Sequence, residues 1–293
     1  MDRRPTGQGP TEPEAVELDP SRPHRPVRKD EIVIADRGLY VESWLPERRS
    51  RRKPLYLLHG ELGGSWLWER YLSYFAQRGW EGHALNLRAH FWSETADLAS
   101  LDLESYVDDA QAGLEALGRP AVLVGHGMGG LLALKVAERV GAAGLVLISP
   151  ALPRPIRPEP PPHVVRLVPA VFRAELIGWA GAAEHVRRQN PDLSELDVQR
   201  VQHMMGAESG LARRQMLEGM VVDRAMLEAI PTLVLGGGVD RLFPEPESKR
   251  LAAWLGASYQ SFGAHSHYGL VVGETSHLPV ADAIRSFLET HRL

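Results

Sequence analysis

"LVGHGMGG", residues 123–130, joins an apolar strand to an apolar helix through a five-residue frame with glycine at both ends. The run before it, AVLVG at 121–125, is short and almost wholly apolar, as a strand buried on both faces is. The run after it, MGGLLALKVAERVG at 128–141, has the length of a helix and stops at a glycine. The frame is that of the sharp strand-to-helix turn G-x-S-x-G, whose tip residue is held in a strained, exposed position. Here the tip is Gly127, which has no side chain.

The same strand-then-helix rhythm extends in both directions. LYLL (55–58), HALNL (83–87), AGLVLIS (143–149), TLVLGG (232–237) and a run from Ala257 to Phe262 read as strands. Between the first two, Trp68, Tyr71, Leu72 and Phe75 fall at helical spacing, with Ser65 as the expected N-cap and Gly79 as the stop. A second helix runs through Val107, Ala110, Leu114 and Leu117 to Gly118. A helix is expected from Glu247 to Leu255, and a last one is capped by Ser276, with Val280, Ile284, Phe287 and Leu288 inward. EIVIADRGLYVESWLP (31–46) alternates around a glycine and predicts a β-hairpin. Buried strands alternating with helices define an α/β fold, a mostly parallel doubly wound sheet whose sites lie at the carboxyl ends of the strands.

The rhythm breaks once. SPALPRPIRPEPPPHV (149–164) carries seven prolines and continues neither element type. A mostly helical stretch then runs to about Glu228. The expected organisation is therefore a disordered tail at 1–27, a core made of 28–152 and 229–293, and a helical cap inserted at 153–228. RRSRRK (48–53) reads as a solvated basic turn.

Composition narrows the classes of function. The 293 residues are 44% hydrophobic and 24% charged with a net charge of −4, so no basic surplus points to nucleic acid. Cysteine is absent, which excludes disulfides, thiolate metal sites and a cysteine nucleophile. No apolar run reaches membrane-spanning length, and the N-terminal stretch has no apolar core of a secretory signal, so a cytoplasmic location is expected. The glycine-rich turn lacks the G-x-G-x-x-G and G-K-[ST] fingerprints, HSH at 265–267 has no further metal-ligand partner at suitable spacing, and no cofactor is expected.

Five pieces stand in one order: LLHGELGGSW (57–66), LNLRAH (85–90), GHGMGG (125–130), GGGVDRLFP (236–244) and HSHYGLVVGE (265–274). In them the chain resembles the α/β-hydrolase fold family, in its cap-bearing esterase/lipase-like branch, over residues 32–293. The resemblance implies Asp240 as the acid that holds a histidine, and His267 as that histidine, with His265 as the alternative. It implies an oxyanion hole formed by the backbone N–H groups of Glu61 and Met128. The Glu61 side chain is expected to face solvent, although a second acid/base role is open to it. His59, His90 and His126 match positions that are usually structural, with His126 turned away from substrate.

The resemblance also makes Gly127 the place of the missing nucleophile. Losing the serine of such a triad costs roughly 10⁶ in rate and leaves about 10³–10⁴ over water. Three readings follow: a small apolar ester or carbonyl substrate handled by a His–Asp pair and oxyanion hole without a covalent intermediate; a non-catalytic ligand binder; and a serine esterase or lipase whose nucleophile has been exchanged in this chain. The expected partner is a small apolar molecule. Met204 and Met216, among five methionines between 204 and 226, together with Trp66 and Trp68, are candidate pocket residues. The plain alternative for the methionines is the internal core of the cap.

Overall fold

The computed structural model describes residues 27–48 and 51–293. The expected tail, but for Val27, and Arg49 and Ser50 of the basic turn lie outside these residues. The chain opens with the expected hairpin, β1 (Arg28–Ile34) and β2 (Leu39–Leu45), turning at Gly38 with φ +62°. Then come β3 (Leu55–Leu58), α1 (Glu69–Gln77), β4 (Gly82–Asn86), α2 (Leu103–Ala116), β5 (Val122–His126), α3 (Met128–Val140) and β6 (Gly144–Ile148). The next stretch holds α4 (Pro162–Arg166), β7 (Val171–Arg173), α5 (Ala183–Gln189), α6 (Glu195–Met204), β8 (Ala207–Ser209) and α7 (Gly210–Glu218). The chain closes with β9 (Thr232–Gly237), α8 (Glu245–Leu255), β10 (Ser258–Phe262) and α9 (His277–Thr290).

Eight strands make one sheet in the order β1-β2-β4-β3-β5-β6-β9-β10. Only the two pairings made by β2 are antiparallel; the rest are parallel. Period-two alternation divides each central strand between two cores. Leu55 and Leu57 of β3, with Val122 and Val124 of β5, pack into the layer holding α1 and α9. Tyr56, Leu58 and Leu123 face the opposite layer, with α2, α3 and α8. Both faces are covered, so these strands read as unbroken apolar runs.

β6 and β9 are neighbours in the sheet, yet 83 residues separate them in sequence, the difference between 232 and 148 less one. The intervening segment returns over the strand ends. Its helices are as expected, but β7 and β8 form a two-stranded antiparallel sheet that the sequence pattern missed. Strands of three residues are too short to show alternation. The grouping of 28–152 with 229–293 as core and 153–228 as cap is a proposal about how these elements associate.

At two expected caps the serine side chain makes no capping hydrogen bond. Ser65 does not cap α1: it lies in a 3₁₀ turn, Ser65–Trp68, preceded by Gly64, and its hydroxyl donates to Glu42 Oε2 at 2.7 Å. Ser276 is the N-cap residue of α9, as expected, but its hydroxyl accepts no helix N–H and donates to the Gly269 carbonyl at 2.6 Å. In both cases a tertiary hydrogen bond orients the hydroxyl, and its oxygen accepts no N–H from the helix end.

Candidate active site

The site lies where β3, β5 and β9 end. At the tip between β5 and α3, Gly127 has φ +55° and ψ −119°, a conformation costing other residues about 1–3 kcal/mol. Two residues on, a β-carbon at Gly129 would collide with the carbonyls of Leu58 and His59, so only glycine lets α3 approach β3 this closely.

Asp240 follows β9 and is buried. Its Oδ1 accepts the backbone N–H groups of Leu242 and Phe243, each at 2.8 Å. Its Oδ2 accepts from His267 Nδ1 at 2.8 Å. That bond fixes the tautomer and leaves Nε2 of His267 with its lone pair free. Nε2 is turned to the tip: a β-carbon on Gly127 would lie 3.2 Å from it. His265 is placed elsewhere, with its Nε2 on the Ser276 carbonyl at 2.9 Å. The loop bearing His267 is tied to the inserted segment by Asp192, whose Oδ2 accepts the Ser266 N–H at 2.9 Å.

His126 does not line the cavity; it packs behind His267. Its ring lies against that of His267, with centroids 4.0 Å apart and planes inclined by 31°. Its Nε2 donates to the His267 carbonyl at 3.1 Å. Burial, followed by the neighbouring His267, pushes it well below its ordinary pKa, so it is a neutral plate behind the second imidazole. Trp68 meets His126 edge-on, 6.4 Å between centroids.

After β3, the turn carrying Glu61 holds Leu62 at φ +61°. The Leu62 N–H donates to Glu208 of β8 at 3.3 Å. Glu208 is fully buried and also accepts from Tyr106 Oη at 2.7 Å and His90 Nε2 at 3.2 Å. His90 Nδ1 faces the Arg88 carbonyl at 2.9 Å. With acceptors at both nitrogens, His90 is placed to donate twice, which favours its charged form. Burial pulls its pKa down, but the carboxylate of Glu208 outweighs this and raises it. The same partnership overcomes the cost of burial and lowers Glu208. His59 donates from Nδ1 to the Gly60 carbonyl and accepts the Leu87 N–H at Nε2, so it is neutral, pushed down to about 3 chiefly by burial.

The backbone N–H groups of Glu61 and Met128 have no protein acceptor among the described residues. The Glu61 side chain does not face solvent as expected. It is buried, and both oxygens accept from Arg213 Nη1 of α7, at 2.6 and 2.5 Å. Burial lifts its pKa against the opposing pull of Arg213.

His267, Glu61, Arg213, Arg157, Phe243 and Met216 help to line a cavity of about 40 Å³ between the strand ends and the inserted segment. Of the other candidates, Trp66, Trp68 and Met204 do not line it. The two indoles are sealed in the α1 core, and Met204 packs against the same cluster, whereas Met216 is buried beside the cavity. No motif or periodicity marks Arg157, Arg213 or Glu208, which reach the site from the inserted segment.

A strand-end cleft with a carboxylate-held imidazole beside a strand-to-helix tip is the arrangement of an α/β hydrolase. The family model described as serine aminopeptidase, S33, matches residues 49–263, and the chain belongs to that α/β-hydrolase family. Among solved structures, an esterase from Thermogutta terrifontis with malate bound is 21% identical at a TM-score of 0.67, over 91% of this chain and 100% of that one. A monoacylglycerol lipase from Paleococcus ferrophilus is 20% identical at 0.63, again over 91% and 100%. A putative aryl esterase from Burkholderia cenocepacia is 20% identical at 0.65, over 89% and 100%. At these identities the likeness is one of fold. Among the described residues no helix is long and apolar enough to cross a membrane.

Proposed function

We propose that this chain acts on the ester or carbonyl group of a small molecule through general-base chemistry at His267, without a covalent intermediate. The observation that carries this reading is the free Nε2 of His267 turned to a tip residue that has no nucleophile. In the hydrolytic form, Nε2 takes a proton from water as the water oxygen bonds to the carbonyl carbon. The carbonyl electrons move onto oxygen, where the N–H groups of Glu61 and Met128 hold the charge; each such donor contributes about 2.7–4 kcal/mol. Asp240 stabilises the imidazolium. Collapse of the oxyanion expels the leaving group, which takes the proton back from Nε2. General-base assistance contributes about 10²–10⁴-fold, so turnover is slow beside that of a serine enzyme.

The competing reading is a non-catalytic binder, favoured by the tip at Gly127, which carries no nucleophile. A volume of about 40 Å³ holds on the order of three waters, so a ligand enters only if the inserted segment shifts. A panel of short-chain esters separates the two. Turnover lost in His267→Ala supports catalysis; saturable binding with no turnover in the wild type sinks it.

A further inference from the structure

Three charged side chains line the cavity: Glu61, Arg157 and Arg213. Arg213 answers Glu61, leaving Arg157. Its Nε donates to the Leu217 carbonyl at 2.5 Å, which fixes the plane of the guanidinium. Its Nη1 is buried and has no hydrogen-bond partner among the described residues. Glu247 and Glu61 act on it electrostatically, but neither forms an ion pair with it. Burial holds its pKa below the ordinary value. An unanswered buried donor on a charged group costs more than the roughly 1–3 kcal/mol of a neutral one. Arg157 also lines the cavity that holds His267, so a ligand that enters by displacing the covering wall can supply the acceptor. The rest of the wall, including Phe172, Met216 and Phe243, is largely apolar.

We infer that Arg157 is the anion-binding residue of this cavity and that the substrate is a short carbonyl compound carrying a carboxylate. This deepens the proposed function and rests on it for the carbonyl, but not for the anion. Glu247 and Glu61 act on Arg157 only through space, so neither supplies the hydrogen-bond acceptor that its guanidinium lacks. A planar carboxylate matches the flat guanidinium fork better than a tetrahedral phosphoryl group does. The expected ligand therefore has an apolar link of a few atoms between a carboxylate at Arg157 and a carbonyl at His267. The expectation of a purely apolar ligand is narrowed accordingly.

Calorimetric binding at pH 7 tests this without requiring turnover. The probes are monomethyl succinate, its neutral isostere methyl levulinate, and methyl 3-phosphonopropanoate. The wild type is expected to bind the succinate ester about tenfold tighter than the levulinate, or roughly 1.4 kcal/mol. Arg157→Gln is expected to abolish the preference and His267→Ala to retain it. If Arg157→Gln does not fold, Arg157→Lys carries the test, with a reduced preference expected because the planar fork is lost. Equal affinities in the wild type, or an undiminished preference in a folded Arg157 variant, would overturn the assignment. Tighter binding of the phosphonate would overturn the carboxylate class. A wild type that shows the preference but hydrolyses none of the probes would remove the catalytic reading and leave this one standing.

Discussion

Nε2 of His267 lies 3.2 Å from the point where a β-carbon on Gly127 would stand. That is closer than side-chain carbons ordinarily approach, so a residue with a side chain at the tip must displace the imidazole by a few tenths of an ångström. Gly127→Ser is therefore expected to do two things. It should lose about 1–3 kcal/mol of stability, because φ +55° strains any residue with a β-carbon. It should also gain ester hydrolysis with a burst phase, because the new hydroxyl meets a base already oriented by Asp240. Urea denaturation and stopped-flow assays with a chromogenic ester check the two separately. A folded variant with no burst would show that His267 cannot take a proton from the tip.

Asp240→Asn isolates the tautomer. Asp240 accepts from three donors and donates to none, so an amide in its place presents N–H to at least one of them. If the amide nitrogen takes the Oδ2 position, Nδ1 of His267 must become the acceptor and Nε2 loses its lone pair to a proton. The variant is expected to reduce hydrolysis in the Gly127→Ser background by about 10⁴ while the fold persists. A loss below tenfold would mean that the imidazole keeps its tautomer without the carboxylate.

The strand ends could be read from the sequence because their information is local. TLVLGG must be a buried strand, and the residues just beyond it, down to Asp240, must lie at its carboxyl end. The proximity of Asp240 and His267 follows from adjacent strands β9 and β10 ending on the same side. The wall of the cavity was hidden for the opposite reason. Glu61 and Arg213 are 152 residues apart, and His90 and Glu208 are 118 apart, with no periodic signal joining them. A lone Glu in a glycine-rich turn reads as solvated until a guanidinium is brought over it. The place of His126 was obscured in another way, since a residue beside the tip can point to either face and only packing against Trp68 and His267 selects one.

Met216 bears on ligand size. It is 1% exposed and lines the cavity, so truncation to Ala removes contacts and enlarges the space beside His267. Met216→Ala is expected to cost about 2–5 kcal/mol in urea denaturation. It should also move the preferred probe to a longer chain, measured by binding a homologous series of dicarboxylic half-esters. Unchanged length preference would place the ligand's link against a different part of the wall.

The His90–Glu208 pair makes the stability of the protein depend on pH from both sides. His90 is raised above its ordinary 6.5, so its contribution is full below that value and is lost as pH rises through the higher folded value. Glu208 is lowered below its ordinary 4.5, so its contribution is full above that value and is lost as pH falls through the lower folded value. The two windows overlap between 4.5 and 6.5. Removing one member of a buried pair costs about 3–5 kcal/mol. The stability difference between wild type and Glu208→Gln should therefore peak in that overlap and narrow towards both acid and alkali. Because Glu208 also accepts the Leu62 N–H, the variant should loosen the turn that carries Glu61, seen as faster amide exchange at residues 61–63. A stability difference that stays flat from acid to alkali would show that the pair is not ionised. Unchanged exchange at the turn would show that β8 does not hold it.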